Sequence, residues 1–144
     1  LSLSLDDINP DLEDDDEDNE HTAEQVTDFA VVDPTGRSAT YTGAISKSRG
    51  IPCGKGRLEY SDTGEIFEGQ FVHGFWTGYG RCIYTTTGED YTGFFLDHIR
   101  HGHGVTKYQD GRIFEGTYAH GVKVEGKMTY QDGSTYLGKL SRGA

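Results

Sequence analysis

The sequence repeats itself every 22 to 26 residues, and this periodicity constrains the fold more than any other feature. The first mark of the repeat is an aromatic residue two places before a glycine, at Tyr41/Gly43, Phe67/Gly69, Tyr91/Gly93, Phe114/Gly116 and Tyr136/Gly138. The second is a Gly-x-Gly pair followed four residues later by tyrosine, at Gly54/Gly56/Tyr60, Gly78/Gly80/Tyr84 and Gly102/Gly104/Tyr108. A degraded copy follows at Gly126/Tyr130, where Val124 replaces the first glycine. Self-similarity at one period predicts a repeat architecture.

Each repeat contains two segments whose side chains alternate between two faces, as in β-strands. In the best-formed repeat, Phe67, Gly69 and Phe71 share a face of the first strand, and Gly80, Cys82 and Tyr84 share a face of the second. The same alternation in the last copy places Gly126, Met128 and Tyr130 on one face of a strand. The strand glycines leave room for aromatic rings from neighbouring strands.

The turn residues agree with a sheet of hairpins. Asp110-Gly111 and Asp132-Gly133 are typical of tight hairpin turns, and no segment has helical periodicity. Five to six hairpins in line predict an all-β fold, an antiparallel β-meander.

The two cysteines are too few for a disulfide framework. Cys82 occupies the repeat position that holds Leu58, Thr106 and Met128 elsewhere, which predicts a small core residue. Cys53 falls on a predicted connection. A reducing compartment is the expectation from this cysteine usage.

The charge is segregated along the chain. The first 33 residues contain 13 Asp or Glu and no Lys or Arg, whereas the remainder contains 11 acidic and 13 basic residues. Like-charge repulsion with little apolar surface predicts that residues 1–33 are an acidic, largely disordered leader before a β-sheet domain of about five repeats at 34–144. Within the leader, the apolar run Phe29-Ala30-Val31-Val32 is expected to form a strand that covers the edge of the first repeat.

The complete pattern from Phe67 to Gly88, with its spaced aromatics and glycines, resembles the MORN repeat, and the resemblance covers about residues 38–140. It implies an elongated, twisted, single-layer sheet whose repeats are non-catalytic binding or scaffolding modules. The chain departs from the pattern at an insertion containing Pro52, at His98 in place of a connection glycine, and at 122–124, where a unit is one residue short. The first and fourth connections are therefore expected to be bent or frayed.

Residues 67–74, after Gly50-Ile51-Pro52 and an acidic leader, are also similar to the MORN segment of SET-domain histone-lysine methyltransferases. In those proteins a separate domain carries catalysis, and nothing in this chain resembles that domain. The resemblance implies one alternative function, a regulatory segment of a larger enzyme.

No residue pattern predicts catalysis, a cofactor or a metal site. The closest candidate for a metal site, His98-x-x-His101-x-His103, lacks the recurring Cys or acidic partners that a structural zinc ion needs. His73, His120 and Asp97 are expected at exposed turns. The glycine pairs lack the Lys-Ser/Thr and the following helix of a phosphate loop.

Phe75 and Trp76 depart from the repeat, because the equivalent positions of other repeats hold an aliphatic residue and a cation, Ile99-Arg100 and Val122-Lys123. Aromatic pairs of this kind are common interface anchors, although packing back over the hairpin is an equal alternative. The predicted partner contacts are Phe71, Phe75, Trp76, Phe95 and Tyr118.

The leading functional hypothesis is a non-catalytic protein-interaction scaffold or targeting module, with a protein partner of unknown identity. A second hypothesis is a module that binds anionic lipid at a membrane surface, through a row of cations at Arg57, Arg81, Lys107, Lys127 and Lys139. Glu59, Glu68 and Glu115 share that face, so cross-strand ion pairing is the stronger interpretation, and no nucleic acid is expected. Without a signal peptide or a membrane-spanning run, the predicted location is intracellular, cytoplasmic or membrane-associated.

Overall fold

The structure of the protein is a computed structural model that describes residues 23–140. Within this range the chain forms ten strands and no helix: β1 Ala23–Val32, β2 Ser38–Ser46, β3 Pro52–Tyr60, β4 Ile66–Val72, β5 Phe75–Tyr84, β6 Glu89–Leu96, β7 Ile99–Lys107, β8 Ile113–Ala119, β9 Val122–Thr129 and β10 Thr135–Lys139. All ten strands lie in one open antiparallel sheet, in sequence order. The predicted all-β, single-layer meander is confirmed.

Tight turns join β4 to β5, β6 to β7 and β8 to β9. Each turn has two residues, His73-Gly74, Asp97-His98 or His120-Gly121, and every one of these residues has a positive φ. Positive φ at both central residues is the type I′ geometry, which matches the twist of paired strands.

Wider connections alternate with these turns, and the hairpin turns predicted at Asp110-Gly111 and Asp132-Gly133 are confirmed: the Gly111 N–H donates to the Tyr108 carbonyl at 3.0 Å and the Gly133 N–H to the Tyr130 carbonyl at 2.9 Å, although neither turn is a two-residue loop. Both dipeptides lie inside five-residue connections, at 108–112 and 130–134. The reason is that each glycine takes the left-handed position of a longer turn, with φ of 98° at Gly111 and 89° at Gly133. The first of these connections is closed by the Tyr108 N–H, which donates to the Arg112 carbonyl at 2.9 Å.

Glycines from adjacent strands face each other at the centre of the repeats, as Gly43 opposite Gly56, Gly69 opposite Gly80, Gly93 opposite Gly104 and Gly116 opposite Gly126. An aromatic ring covers each pair. A Cβ atom at Gly56 would overlap the ring of Tyr41, and one at Gly104 would overlap the ring of Tyr91. The predicted packing role is confirmed for these four pairs.

The rings form a continuous layer on one side of the sheet, which we call the aromatic face. Rings of successive repeats meet edge to face, with centroid distances of 5.2 Å for Tyr41–Phe71, 5.1 Å for Phe67–Phe95 and 5.3 Å for Tyr91–Tyr118. Leu58, Cys82, Thr106 and Met128 are buried in this layer, as their shared repeat position predicts. Edge-to-face contacts between rings add to the stabilisation from apolar burial.

The predicted position of Tyr130 on the strand face beside Gly126 and Met128 is wrong. β9 ends at Thr129, so Tyr130 begins the five-residue connection, where its N–H donates to the Ser134 carbonyl at 2.8 Å. Its side chain is 41% exposed, whereas that of Tyr60, at the same repeat position, is buried. The physical reason is that Trp76 of the following hairpin covers Tyr60, and among residues 23–140 only β10 follows Tyr130.

Gly138 also departs from the packing role predicted for the repeat glycines. It lies in β10 opposite Gly126, which continues the glycine row, but an added Cβ would come no closer than 3.3 Å to any atom, the Tyr136 hydroxyl. Tyr136 itself is 44% exposed. Because β10 pairs with β9 alone within the described residues, no further strand presses the ring of Tyr136 onto Gly138. The fifth copy thus keeps the register of the repeat without its close packing.

The N-terminal edge is covered as expected, by a longer strand than the sequence indicates. β1 begins at Ala23, six residues before the apolar run at Phe29, and pairs with β2. Residues 1–22 of the predicted leader, and residues 141–144, lie outside the described residues.

The expectation that Cys53 lies on a connection is wrong, and so is the expectation that the first and fourth connections are frayed, while the alternative that they are bent stays a prediction. Cys53 lies in β3 rather than on a connection; it is buried, and neither cysteine forms a disulfide. The first connection is not frayed, because the Ser46 N–H donates to the Ile51 carbonyl at 2.9 Å and the Gly50 N–H to the Ser46 carbonyl at 2.8 Å. The fourth is a closed type I′ turn at 120–121, and its Gly121 N–H donates to the Arg100 carbonyl at 3.0 Å.

Candidate interaction surfaces

The aromatic face is covered largely by its own side chains. Four of the five predicted partner contacts belong to this layer, where each is only 2–3% exposed: Phe71, Trp76, Phe95 and Tyr118. By strand alternation the fifth, Phe75, points to the other face; it is half-buried, and its ring meets the His98 ring edge to face at 5.4 Å.

Trp76 is the centre of the packed layer in the second repeat. Its ring stacks on Phe67 at a centroid distance of 4.7 Å and, on the other side, on His98 at 4.5 Å. Its indole N–H donates to the Tyr60 hydroxyl at 3.2 Å. Trp76 thus packs back over its hairpin, while direct contact of this group with a partner stays a prediction.

His98 joins the third repeat to the connection between β1 and β2, which contains Asp33. Its Nδ1 accepts a hydrogen bond from the Trp76 backbone N–H at 3.2 Å, so the proton of the neutral ring lies on Nε2, which faces Asp33 Oδ2 at 3.3 Å. Burial lowers the pKa of His98 and outweighs the opposing effect of Asp33. The contact between His98 and Asp33 is therefore a hydrogen bond that the neutral histidine donates to the carboxylate, rather than an ion pair.

The Asp33 carboxylate is charged although it is almost fully enclosed. Burial raises its pKa, but hydrogen bonds from Thr35, Tyr60 and the Arg37 backbone outweigh this effect and lower the pKa of Asp33 to about 2. The Tyr60 hydroxyl donates to Oδ2 at 2.6 Å and the Thr35 hydroxyl to Oδ1 at 2.6 Å. Both carboxylate oxygens of Asp33 thus accept hydrogen bonds from neighbouring groups, and these bonds hold the β1–β2 connection against the third repeat.

Arg100 in the third repeat is equivalent to Trp76 in the second. Trp76 pairs with Phe71 across its hairpin, and Arg100 pairs with Phe95 in the same way. Its guanidinium lies 2.7 Å from Glu89 and stacks over the Tyr84 ring at 4.6 Å. Burial lowers the pKa of Arg100, but its contacts with Tyr84 and Glu89 outweigh burial and raise it above the ordinary value. This arginine is a half-buried, paired cation of the packed layer.

The opposite side of the sheet, which we call the open face, exposes large apolar side chains. Tyr79 and Phe94 are paired across β5 and β6 with ring centroids 5.4 Å apart, and are 54% and 48% exposed. By alternation, the residues next to the buried Phe71, Trp76, Phe95 and Arg100 point to the same side. Together they form a patch on β4–β7, the outer patch, made of Val72, Phe75, Tyr79, Phe94, Leu96 and Ile99.

A depression of about 670 Å³ adjoins the outer patch at Tyr79, and its lining includes the charged residues Lys55, Arg57, Glu68 and Arg81. Arg81 contacts Asp90 at 2.6 Å, and Arg57 contacts Glu59 at 3.8 Å. The remaining predicted cations of this face are exposed at Lys107, Lys127 and Lys139. Cations and carboxylates are thus interleaved, and the face is not a single basic stripe.

The histidines do not converge. His98 faces Asp33, His101 lies beside His120 with ring centroids 5.9 Å apart, and His103 approaches Glu115 at 3.8 Å. Among residues 23–140, no group of three or more His, Cys, Asp or Glu has the geometry to hold a metal ion. Over the same residues, no helix could cross a membrane.

A row of stacked hairpins, packed on one face and open on the other, defines a β-repeat protein of the kind that presents binding surfaces. A sequence model of the MORN repeat matches residues 47–65, 67–88, 91–111 and 114–135, more than half of the chain. The chain therefore belongs to the MORN repeat family, whose members are generally non-catalytic and whose repeats are consistent with interaction or membrane-binding modules. The matched residues include Tyr130 and end before Tyr136 and Gly138. No curated protein matches the chain, so the similarity to lysine methyltransferases stays an expectation.

Several residues of these surfaces escape prediction from the sequence. Asp33 and His98 are 65 residues apart, and no local pattern joins them. A usable signal exists nonetheless, because Trp76, His98 and Arg100 each depart from the repeat in neighbouring units. Departures that cluster after alignment of the repeats indicate side chains in contact.

Proposed function

We propose that this protein is a non-catalytic interaction scaffold that binds a protein partner through the outer patch of its open face. One observation carries the proposal: the aromatic face is largely filled by the chain's own rings, whereas the open face holds five exposed large apolar side chains and the half-buried Phe75 together on β4–β7. Contiguous exposed apolar patches mark interaction sites in proteins.

The outer patch has the composition of a protein interface. Tyr79, Phe94 and Phe75 provide aromatic anchors, and the depression lined by Arg57 and Arg81 provides a polar rim. Interfaces are enriched in aromatic residues and arginine. Of the partner contacts predicted from sequence, Phe75 belongs to this surface. The other four are buried in the aromatic face on the opposite side of the sheet: Phe71, Trp76, Phe95 and Tyr118.

Partner capture with matched variants tests the proposal. The full chain carrying Tyr79→Thr or Phe94→Thr is compared with the wild type and with Leu137→Thr, which removes a side chain 78% exposed on β10. Threonine keeps the strand propensity. We expect proteins captured by the wild type to be retained by Leu137→Thr and lost from the other two variants. Equal capture by all three variants would refute the outer patch as the binding surface.

Trp76→Ala is a poor test of partner contact, because truncating a buried aromatic residue costs about 3–5 kcal/mol of stability. Phe75→Ser is the better choice at this position of the array. It changes the half-buried neighbour and keeps Trp76 with its stack on Phe67, while it removes the edge-to-face contact of Phe75 with the His98 ring at 5.4 Å.

Binding to anionic lipid is the second candidate, favoured by Lys55, Arg57 and Arg81 around one depression. The pairing of Arg57 with Glu59 and of Arg81 with Asp90 weakens it. Flotation with vesicles containing an anionic phospholipid, for the full chain and for a chain without residues 1–22, separates the two functions. This truncation leaves β1 intact. Absence of salt-sensitive binding in both proteins would remove the lipid function and leave the protein scaffold.

A further inference from the structure

A second cavity, of about 490 Å³, opens on the aromatic face between the third and fourth repeats. One repeat position explains why the face is open here. Across their hairpins, Trp76 pairs with Phe71, Arg100 pairs with Phe95 and Lys123 pairs with Tyr118. Trp76 fills this position in the second repeat. The slimmer Arg100 and Lys123 leave space between the surrounding tyrosines.

The half-buried Lys123 ammonium group makes one hydrogen bond to a described residue. Its Nζ donates to the Tyr108 hydroxyl at 2.7 Å and lies 5.2 Å from the centre of the Tyr108 ring and 5.8 Å from that of Phe114. Within residues 23–140 no carboxylate pairs with it. An ammonium carries three donors, and a partly buried cation without a counter-ion is costly.

The repeats themselves show what group is missing. In the connections β3–β4 and β5–β6, the residue after the turn glycine is Glu65 or Glu89, and each carboxylate pairs with an arginine. Arg37 contacts Glu65 at 3.2 Å, and Arg100 contacts Glu89 at 2.7 Å. Each arginine also covers the tyrosine of the connection, Tyr60 at 3.8 Å and Tyr84 at 4.6 Å from the ring centre. Tyrosine, cation and carboxylate thus form a recurring trio.

In the connection β7–β8, a second cation takes the place of this carboxylate. Arg112 occupies that position and lies 4.4 Å from the centre of the Tyr108 ring, which Lys123 also approaches. Arg112 is paired with the exposed Asp110 at 2.9 Å. Glu89 lines the cavity, but Arg100 holds it. Tyr108 therefore has two cations beside it, and Lys123 has no carboxylate.

We propose that this cavity, the Lys123 pocket, binds a carboxylate side chain from an acidic segment of a partner protein. The incoming group completes at Tyr108 the trio that Glu65 and Glu89 complete in the earlier repeats. A carboxylate rather than a larger anion is expected, because carboxylates fill the equivalent positions. The pocket shares Ile99 with the outer patch, but Lys123 belongs to the pocket alone, so variants at Lys123 test the pocket separately from the proposed function.

Titration of the isotope-labelled full chain with a hexaglutamate peptide, followed by NMR, tests this proposal. Hexaglutamine and inorganic phosphate are the comparison probes. We expect saturable shifts of the amides at 121–123 with hexaglutamate, which weaken as NaCl is added because salt screens charge pairs. No saturable shift with hexaglutamate, or stronger binding of phosphate than of hexaglutamate, would overturn the assignment to a carboxylate.

Four variants sharpen the test. Lys123→Gln should weaken hexaglutamate binding about tenfold, the effect of losing a charge-assisted hydrogen bond. Lys123→Trp should abolish binding by filling the cavity as Trp76 does, and Lys123→Arg should retain it. Lys127→Gln, on the open face of the same strand, is the matched control and should bind like the wild type. Unchanged binding by a folded Lys123→Gln or Lys123→Trp variant would refute the Lys123 pocket.

Discussion

At the scale of the residue, a glycine and an aromatic ring from the adjacent strand act as one packing unit. Tyr91 shows both parts of the arrangement: its ring lies over Gly104, and its hydroxyl donates to the Phe94 carbonyl at 2.9 Å. Phe67 and Phe114 take the same position without the hydroxyl. Ring placement over glycine is therefore the shared requirement, and the hydrogen bond is an addition to it.

The first prediction concerns this unit. Gly104→Ala should lower the free energy of unfolding by about 1–3 kcal/mol, because the new methyl group overlaps the Tyr91 ring. In a Tyr91→Leu background the same change should cost clearly less, because the two sites are coupled. Urea denaturation of the four proteins in this cycle measures the coupling. An equal cost in both backgrounds would contradict the packing explanation.

The second prediction concerns pH. The pKa of His98 is lowered by burial from its ordinary value of 6.5, so the unfolded chain binds this proton more readily than the folded chain. The stabilising contribution of neutral His98 should be complete above pH 6.5 and should decrease as the pH falls below it. His98→Asn, which suits the positive φ of 74°, should flatten this part of the profile. Denaturation midpoints measured across this range test it, and an unchanged profile would exclude His98 as the titrating group.

At the scale of the element, the type I′ turns fix the register of the hairpins. In the turn at 120–121, His120 has φ of 52° and Gly121 has φ of 82°, with Ile99 near the position of an added Cβ. The two turn positions therefore tolerate substitution differently.

The third prediction follows from that difference. Gly121→Ala should cost about 1–3 kcal/mol through left-handed strain, whereas His120→Asn should change stability by less than about 0.5 kcal/mol. Asparagine is favoured in type I′ turns. Thermal unfolding of the two variants compares them directly, and the reverse order would show that backbone strain does not control this turn.

The sequence predicts the strands and the glycine register well, because the repeat supplies several independent copies of each signal. Gly69 and Gly80 could be assigned to packed positions for this reason. The same logic fails at Tyr130 and Gly138, because their packing depends on a neighbouring hairpin and not on their own motif. The tight turns were less predictable, since Asp97-His98 lacks the usual Asn-Gly or Asp-Gly composition.

Side-chain clusters between repeats are the other part that the sequence does not predict. The stack of Trp76 on His98 depends on the relative placement of two hairpins, which one repeat does not encode.

At the scale of the whole molecule, stability should vary along the sheet, as expected for a repeat array with nearest-neighbour contacts. Among residues 23–140, β10 pairs with β9 alone, and Tyr136 and Leu137 are 44% and 78% exposed. In contrast, β5–β7 contain the stacked Trp76 and the paired Arg100.

The fourth prediction is an uneven pattern of hydrogen exchange. Amides of β5–β7 should exchange most slowly and amides of β10 fastest, because local opening at an edge strand breaks fewer contacts. Exchange measured by mass spectrometry on the full chain resolves these segments. Uniform protection from β2 to β10 would show that the sheet opens as a single cooperative unit.

The contact between Asp33 and His98 also affects the order of folding. Neighbouring strands are close in sequence, so each hairpin can pair as soon as its residues are available, with little loop-closure entropy. Asp33 and His98 are separated by 65 residues, and their hydrogen bond requires three hairpins to be in place first. It therefore forms late in folding and reports completion of the N-terminal half of the array.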